Sequence, residues 1–135
     1  MTAALPKDND SLLVRTDFSD EDAWARALRA ARQENEDGFR AYFARVDDPA
    51  FAGADWRAVK AAVPDGNGAS VLFIADRDAL ASPEHPFLVV DLDEDREPFR
   101  CVAAELWAVE NNLNISNMDW EDYADHVDEH GVYRG

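Results

Sequence analysis

The spacing of apolar and polar positions divides the chain into short strands and amphipathic helices. Ser11-Leu12-Leu13-Val14-Arg15-Thr16-Asp17-Phe18 carries a brief apolar run of the kind that forms a buried strand. Trp24, Ala27, Leu28 and Ala31 then recur at i, i+3, i+4 and i+7, which places them on one face of a helix over residues 20–35. Ser19 is its expected cap, with Asp22 three residues on, and Arg26, Arg29 and Arg32 come later, where they suit the helix dipole. Residues 39–46 read as a second strand, with Phe39, Ala41 and Phe43 on one side, stopped by Asp47-Asp48-Pro49. A short helix is expected near residues 55–63 on Trp56, Val59 and Val63. The loop Pro64-Asp65-Gly66-Asn67-Gly68 leads on to a core strand over residues 70–76.

The β-α-β-α-β order so far implies parallel pairing through crossover helices. Only ten residues, Pro83 and Pro86 among them, separate Asp76 from the next apolar run at residues 87–92. A parallel crossover needs about a dozen or more, so this strand is expected to run in reverse. A turn at residues 93–98 and a return strand at residues 99–102 follow. Next comes a helix over residues 103–112, with Leu106, Val109 and Leu113 inward. A last helix, capped by Asn117 or Asp119 and ended by Gly131, would bury Trp120, Tyr123, Ala124 and Val127. The expectation is a single α/β domain over residues 11–135, behind a flexible N-terminal tail over residues 1–10. Its sheet would be mixed and mostly parallel, in the order β-α-β-α-β-β-β-α-α, with helices flanking it.

Charge changes this picture more than any motif does. The chain has 135 residues, with 13 Lys and Arg against 29 Asp and Glu, for a net charge of −16. A polyanion of this strength repels phosphate backbones and anionic membrane surfaces, so neither nucleic acid nor membrane is an expected partner. A basic protein would be attracted over a distance. With Cys101 as the single cysteine, no disulfide can form within the chain, and a cytoplasmic location is expected. Met-Thr-Ala-Ala-Leu-Pro-Lys has no apolar segment behind a basic one, so no export leader is expected.

Several stretches resemble a known but uncharacterised family. They are Leu13-Val14-Arg15-Thr16-Asp17-Phe18-Ser19, Val46-Asp47-Asp48-Pro49, His85-Pro86-Phe87-Leu88-Val89-Val90-Asp91-Leu92, Asn112-Leu113-Asn114-Ile115-Ser116-Asn117-Met118-Asp119-Trp120 and Gly131-Val132-Tyr133-Arg134-Gly135. Together they look like the blocks of a family of small acidic proteins common in high-GC soil bacteria such as the actinomycetes. The resemblance implies a compact single domain in a bacterial cytoplasm. It carries over no activity, cofactor or catalytic residue.

The chemistry-bearing patterns each have a plainer explanation. His126-Val127-Asp128-Glu129-His130 matches the H-x-x-E-H pattern of inverted zinc peptidases, but Gly131 follows at once, where a helix would fray, and no third ligand is evident. Residues 87–93 mimic the apolar strand and D-x-D of certain phosphatases, yet that motif normally opens its domain. Cys101 lies in an apolar run that favours an inert buried thiol. Asp17, Asp47, Asp48 and Asp76 end the first three strands, where α/β sheets bind ligands, and could hold a metal or a phosphorylated ligand there. Aspartate also favours such exits because it makes turns and caps.

Asp119, Glu121, Asp122, Asp125, Asp128 and Glu129 form an acid run without Lys or Arg, and on a continuous helix Asp122, Asp125 and Glu129 would share an outward face. Trp107 stands beside the inward positions of its helix and is the tryptophan expected to be exposed, as a partner anchor. The sequence therefore favours a non-enzymatic acidic binding protein without a cofactor. Trp107, Asp119, Asp122, Asp125 and Glu129 would face a basic protein, as in small acidic inhibitors and immunity proteins. Metal or phosphate-ligand binding at the strand-end aspartates is the alternative, and a homodimer through exposed aromatics is a third expectation.

Overall fold

β1 (Ser11–Arg15) and β3 (Val71–Ala75) are buried along their whole length, which is why Leu12–Val14 and the whole of β3 read as apolar runs. They belong to a computed structural model that describes residues 4–135, so the first three residues of the expected tail lie outside the described range. Between them come α1 (Glu21–Ala31), β2 (Phe43–Val46), a 3-10 turn at Pro49–Phe51 and α2 (Trp56–Ala61). After β3 follow α3 (Arg77–Ala81), β4 (Phe87–Asp91), β5 (Phe99–Cys101) and a 3-10 turn at Ala103–Glu105. The last elements are α4 (Leu106–Asn114), α5 (Glu121–Ala124) and β6 (Val132–Tyr133).

The strands form one sheet in the order β2-β1-β3-β4-β5-β6. β1 pairs in parallel with both β2 and β3, β4 runs antiparallel to β3 and β5, and β6 is parallel to β5. The single mixed α/β domain and the reversed strand after Asp76 agree with the sequence reading. From β1 the chain crosses first to β2 on one side and then back to β3 on the other, so the two crossover helices cover opposite faces. Trp24, Ala27 and Leu28 of α1 share one core with Phe73, Phe87, Leu106 and Tyr123. Val59 of α2 shares the other with Leu12, Leu72, Ile74 and Phe51.

Four expectations are corrected. The tail is tied down from Leu5 onward: that side chain is buried in the second core, and its amide donates to the Ala62 carbonyl at 3.0 Å. β2 begins only at Phe43, which pairs with Ser11, the first residue of β1. Among the described residues no strand precedes Ser11 to pair with residues 39–42. The Tyr42 amide donates instead to Glu110 Oε1 on α4 at 2.6 Å, and the Arg40 carbonyl accepts from Asn111. The cap of α1 is Asp20, not Ser19: its side chain accepts from the Ala23 amide at 3.0 Å, and the Ser19 amide is held by Asp17. Asp20→Ala is expected to cost about 1 kcal/mol in urea unfolding. Ser19→Ala should stay within about 0.5 kcal/mol of the parent.

The last helix is the largest departure. α5 ends at Ala124, and Asp128 closes a tight turn instead, accepting from the His130 and Val132 amides at 2.8 and 2.9 Å. That turn returns the chain to the sheet as β6, a strand the sequence reading did not foresee. Asp125 and Glu129 therefore do not continue a face begun by Asp122. An unbroken helix would have stacked these acids without a compensating base, whereas the turn uses the neighbouring Asp128 as a hydrogen-bond acceptor.

Candidate functional site

The carboxyl ends of β1, β2 and β3 are where a doubly wound sheet would bind a ligand, and four aspartates stand there. Each has a local partner. Asp17 accepts from the Ser19 amide, and Asp48 caps the 3-10 turn through the Ala50 amide, both at 3.0 Å. Asp76 caps α3 through the Ala79 amide and also receives the Arg100 guanidinium on both oxygens, at 3.0 and 2.7 Å. Asp47 accepts from Arg15 at 3.2 Å. Hydrogen bonding by Ser19, with Arg77 and Arg15 near, holds Asp17 below the usual carboxylate range despite its burial. Among the described residues, no three His, Cys, Asp or Glu side chains are placed to share a metal ion.

Arg15 is the residue that organises this edge. It is 1% exposed, and its guanidinium donates to Glu21 at 2.9 and 3.1 Å, to Asp47, and to the Asp17 carbonyl at 2.9 Å. The rings of Phe18 and Trp24 lie 4.3 and 5.3 Å from it. Burial alone would lower its pKa, but bonding to Glu21 and Asp47 outweighs that and leaves the cation favoured. A lone arginine ending an otherwise apolar run was the visible signal, and the sequence reading passed over it.

The opposite edge carries a second constellation. Asp91 ends β4 and is 4% exposed. Its Oδ1 accepts from the Asp93 and Glu94 amides at 2.9 and 3.3 Å, which forms the turn into the next loop. Its Oδ2 is buried and accepts no hydrogen bond; the nearest cation, Arg96 Nη1, stands 3.5 Å away. Arg96 is shared with Glu94 and with Glu121, the latter at 3.4 Å. A cleft of about 160 Å³ opens here, with Val71, Leu113, Met118 and Trp120 among its walls and Asp93, Glu94 and Asp119 at its rim. Ser116, held at φ 56°, turns the chain from the end of α4 along one side.

The residues expected to meet a partner are placed unevenly. Asp119, Asp122, Asp125 and Glu129 are all exposed, although the Asp122 carboxylate also accepts from the Asp119 amide at 2.8 Å. Trp107 is half-buried. Phe39 lies on it as a stacked ring, with centroids 5.4 Å apart, so the exposed aromatics here are Phe39 and Tyr42, at 53% and 51%. His126 and His130 are exposed, outside any helix. Cys101 is buried, and that burial, with Glu105 near, pushes its thiol far up, which makes it a poor nucleophile. No helix among the described residues is long and apolar enough to cross a membrane.

A family model described as a domain of unknown function, DUF6924, matches residues 10–135. The chain belongs to this family. No curated protein matches it. In this DUF6924 domain, two of the stretches that carried the sequence resemblance meet at one place. The strand that ends in Asp91 and the segment containing Leu113, Ser116, Met118, Asp119 and Trp120 line the same cleft. Sequence reasoning placed Asp91 in a resemblance stretch and in a phosphatase-like motif, and it missed that this carboxylate is buried with an unused oxygen.

Proposed function

We propose that this domain is a non-enzymatic binding protein that engages a basic protein surface in the cytoplasm of a bacterial cell, in the manner of small acidic inhibitors. The observation that carries this reading is how the few cations are disposed. Arg15, Arg57, Arg96, Arg100 and Arg134 are each held by one or more carboxylates of the chain itself. The other eight Lys and Arg cannot balance the excess of acids, 29 against 13 bases in all, and Asp119, Asp125 and Glu129 are exposed on the outer surface. Such a surface steers a cationic partner and repels anionic ones, with an effect that fades as salt screens it. The strand-end aspartates give no comparable support to the metal or phosphate alternative, because caps, turns and arginines already occupy them.

The test is affinity capture from the native host in about 50 mM and 500 mM salt, compared between the parent and a variant carrying Asp119→Asn, Asp125→Asn and Glu129→Gln. The expected result is a basic protein held at low salt, released at high salt and held at least about tenfold less tightly by the variant. Capture that ignores both salt and the substitutions, or no basic partner at low salt, overturns the proposal.

A further inference from the structure

We propose that the cleft at Asp91 is a receptor for an alkylammonium group, supplied by a lysine side chain of the partner; this lysine source rests on the basic-partner reading above. Asp91 brings a charge into a site from which water is nearly excluded. One of its oxygens is committed to the turn amides, and the other accepts no hydrogen bond. An ionised carboxylate left in this state is costly, and a cation that reaches Oδ2 with a short, well-aligned donor recovers that cost. Arg96 meets the need poorly. It stands at 3.5 Å, and its guanidinium is divided among Asp91, Glu94 and Glu121.

The shape of the cleft selects the kind of cation. At about 160 Å³ it is smaller than the roughly 300–1,000 Å³ of a drug-sized ligand pocket and suits a single side chain. Val71, Leu113, Met118 and Trp120 offer apolar walls to an aliphatic stem, while Asp93, Glu94 and Asp119 add negative potential at the rim. A bare divalent ion is a worse fit, since it needs several converging oxygens and no such group of side chains is placed here among the described residues. A guanidinium would have to compete with Arg96 in kind. An ammonium presents three donors at a point and meets Oδ2 by displacing the poorly placed Arg96 nitrogen.

The experiment titrates the 15N-labelled full chain with n-butylammonium chloride at constant ionic strength, with sodium, calcium and ethylguanidinium chloride as separate arms. The expected result is saturable shifts at the amides of Asp93, Glu94 and Ser116 with butylammonium. Asp91→Asn, which keeps the oxygen for the turn, should weaken the response at least about tenfold. Arg96→Gln removes the internal competitor and should strengthen it several-fold, a change that a merely structural Asp91 would not produce. Equal titration of the parent and Arg96→Gln overturns the proposal, as do shifts spread over the acidic surface or an equal local response to calcium or ethylguanidinium. Its failure is separable from that of the partner reading. A partner that binds Asp91→Asn as tightly as the parent sinks the cleft alone. Failure to capture any basic protein leaves the amine titration standing.

Discussion

Arg15→Ala is expected to lower the free energy of unfolding by about 3 kcal/mol in urea denaturation. The substitution opens a void between Phe18 and Trp24, removes the partner of Glu21 and Asp47, and leaves the Asp17 carbonyl without its donor. The carboxylates themselves lose little, because Glu21 and Asp47 reach water. The buried cation is the expensive member of the group. Glu21→Gln combined with Asp47→Asn should therefore cost about 2–3 kcal/mol by leaving the guanidinium uncompensated. Arg15→Met, which refills the space and carries no charge, should fall within about 1.5 kcal/mol of the parent. A loss below about 1 kcal/mol for Arg15→Ala would show that this edge is not held by the arginine.

Glu110→Ala is expected to cost about 2–3 kcal/mol and to release residues 39–42 from α4. Glu110 is buried and accepts from the Tyr42 amide at 2.6 Å, from Asn114 Nδ2 at 3.0 Å and from Asn111 Nδ2 at 3.3 Å. Asn114 in turn accepts from the Ser70 amide and donates to Ser11 Oγ, both at 2.8 Å. Removing the carboxylate orphans the Tyr42 amide and cuts the tie to α4, while Asn111 keeps the Arg40 and Trp107 carbonyls and Asn114 keeps Ser11. Glu110→Gln retains one acceptor and should cost about half as much. The local signature is optical and kinetic: Phe39 leaves its stack on Trp107, so the tryptophan emission shifts to the red, and the Tyr42 amide loses protection from hydrogen exchange. Unchanged protection at Tyr42 would count against this account.

Most of the fold was legible because burial writes itself into apolar spacing. Leu12, Leu13 and Val14, and Val71 through Ala75, could hardly be anything except interior strands, and the ten residues between Asp76 and Phe87 decided the reversal of β4. What could not be read depends on partners distant in sequence. Residues 39–42 have strand-like composition but, among the described residues, no strand beside them, and Glu110 captures the Tyr42 amide. The final helix had the right spacing for a stripe, yet Asp128 offers its own oxygen to nearby amides, which ends helical bonding more strongly than periodicity sustains it. The site was legible only in outline. The strand-end aspartates were found as a set, but two of them are held by arginines, Asp47 by Arg15 at the end of β1 and Asp76 by Arg100 in the middle of β5. The unused oxygen of Asp91 follows from a turn geometry that no spacing rule encodes.

β1 and β3 are apolar on both sides, so sliding either by one position would exchange one oily surface for another. Alternation gives such strands no alignment mark. Asn114 supplies one by gripping Ser11 and Ser70 together at their starting ends, and Arg15 supplies the other by finding its carboxylates only when β1 is seated correctly. The polar groups at the two ends of the strands thus work as dowels. They fix the alignment of neighbours that grease alone would let slip.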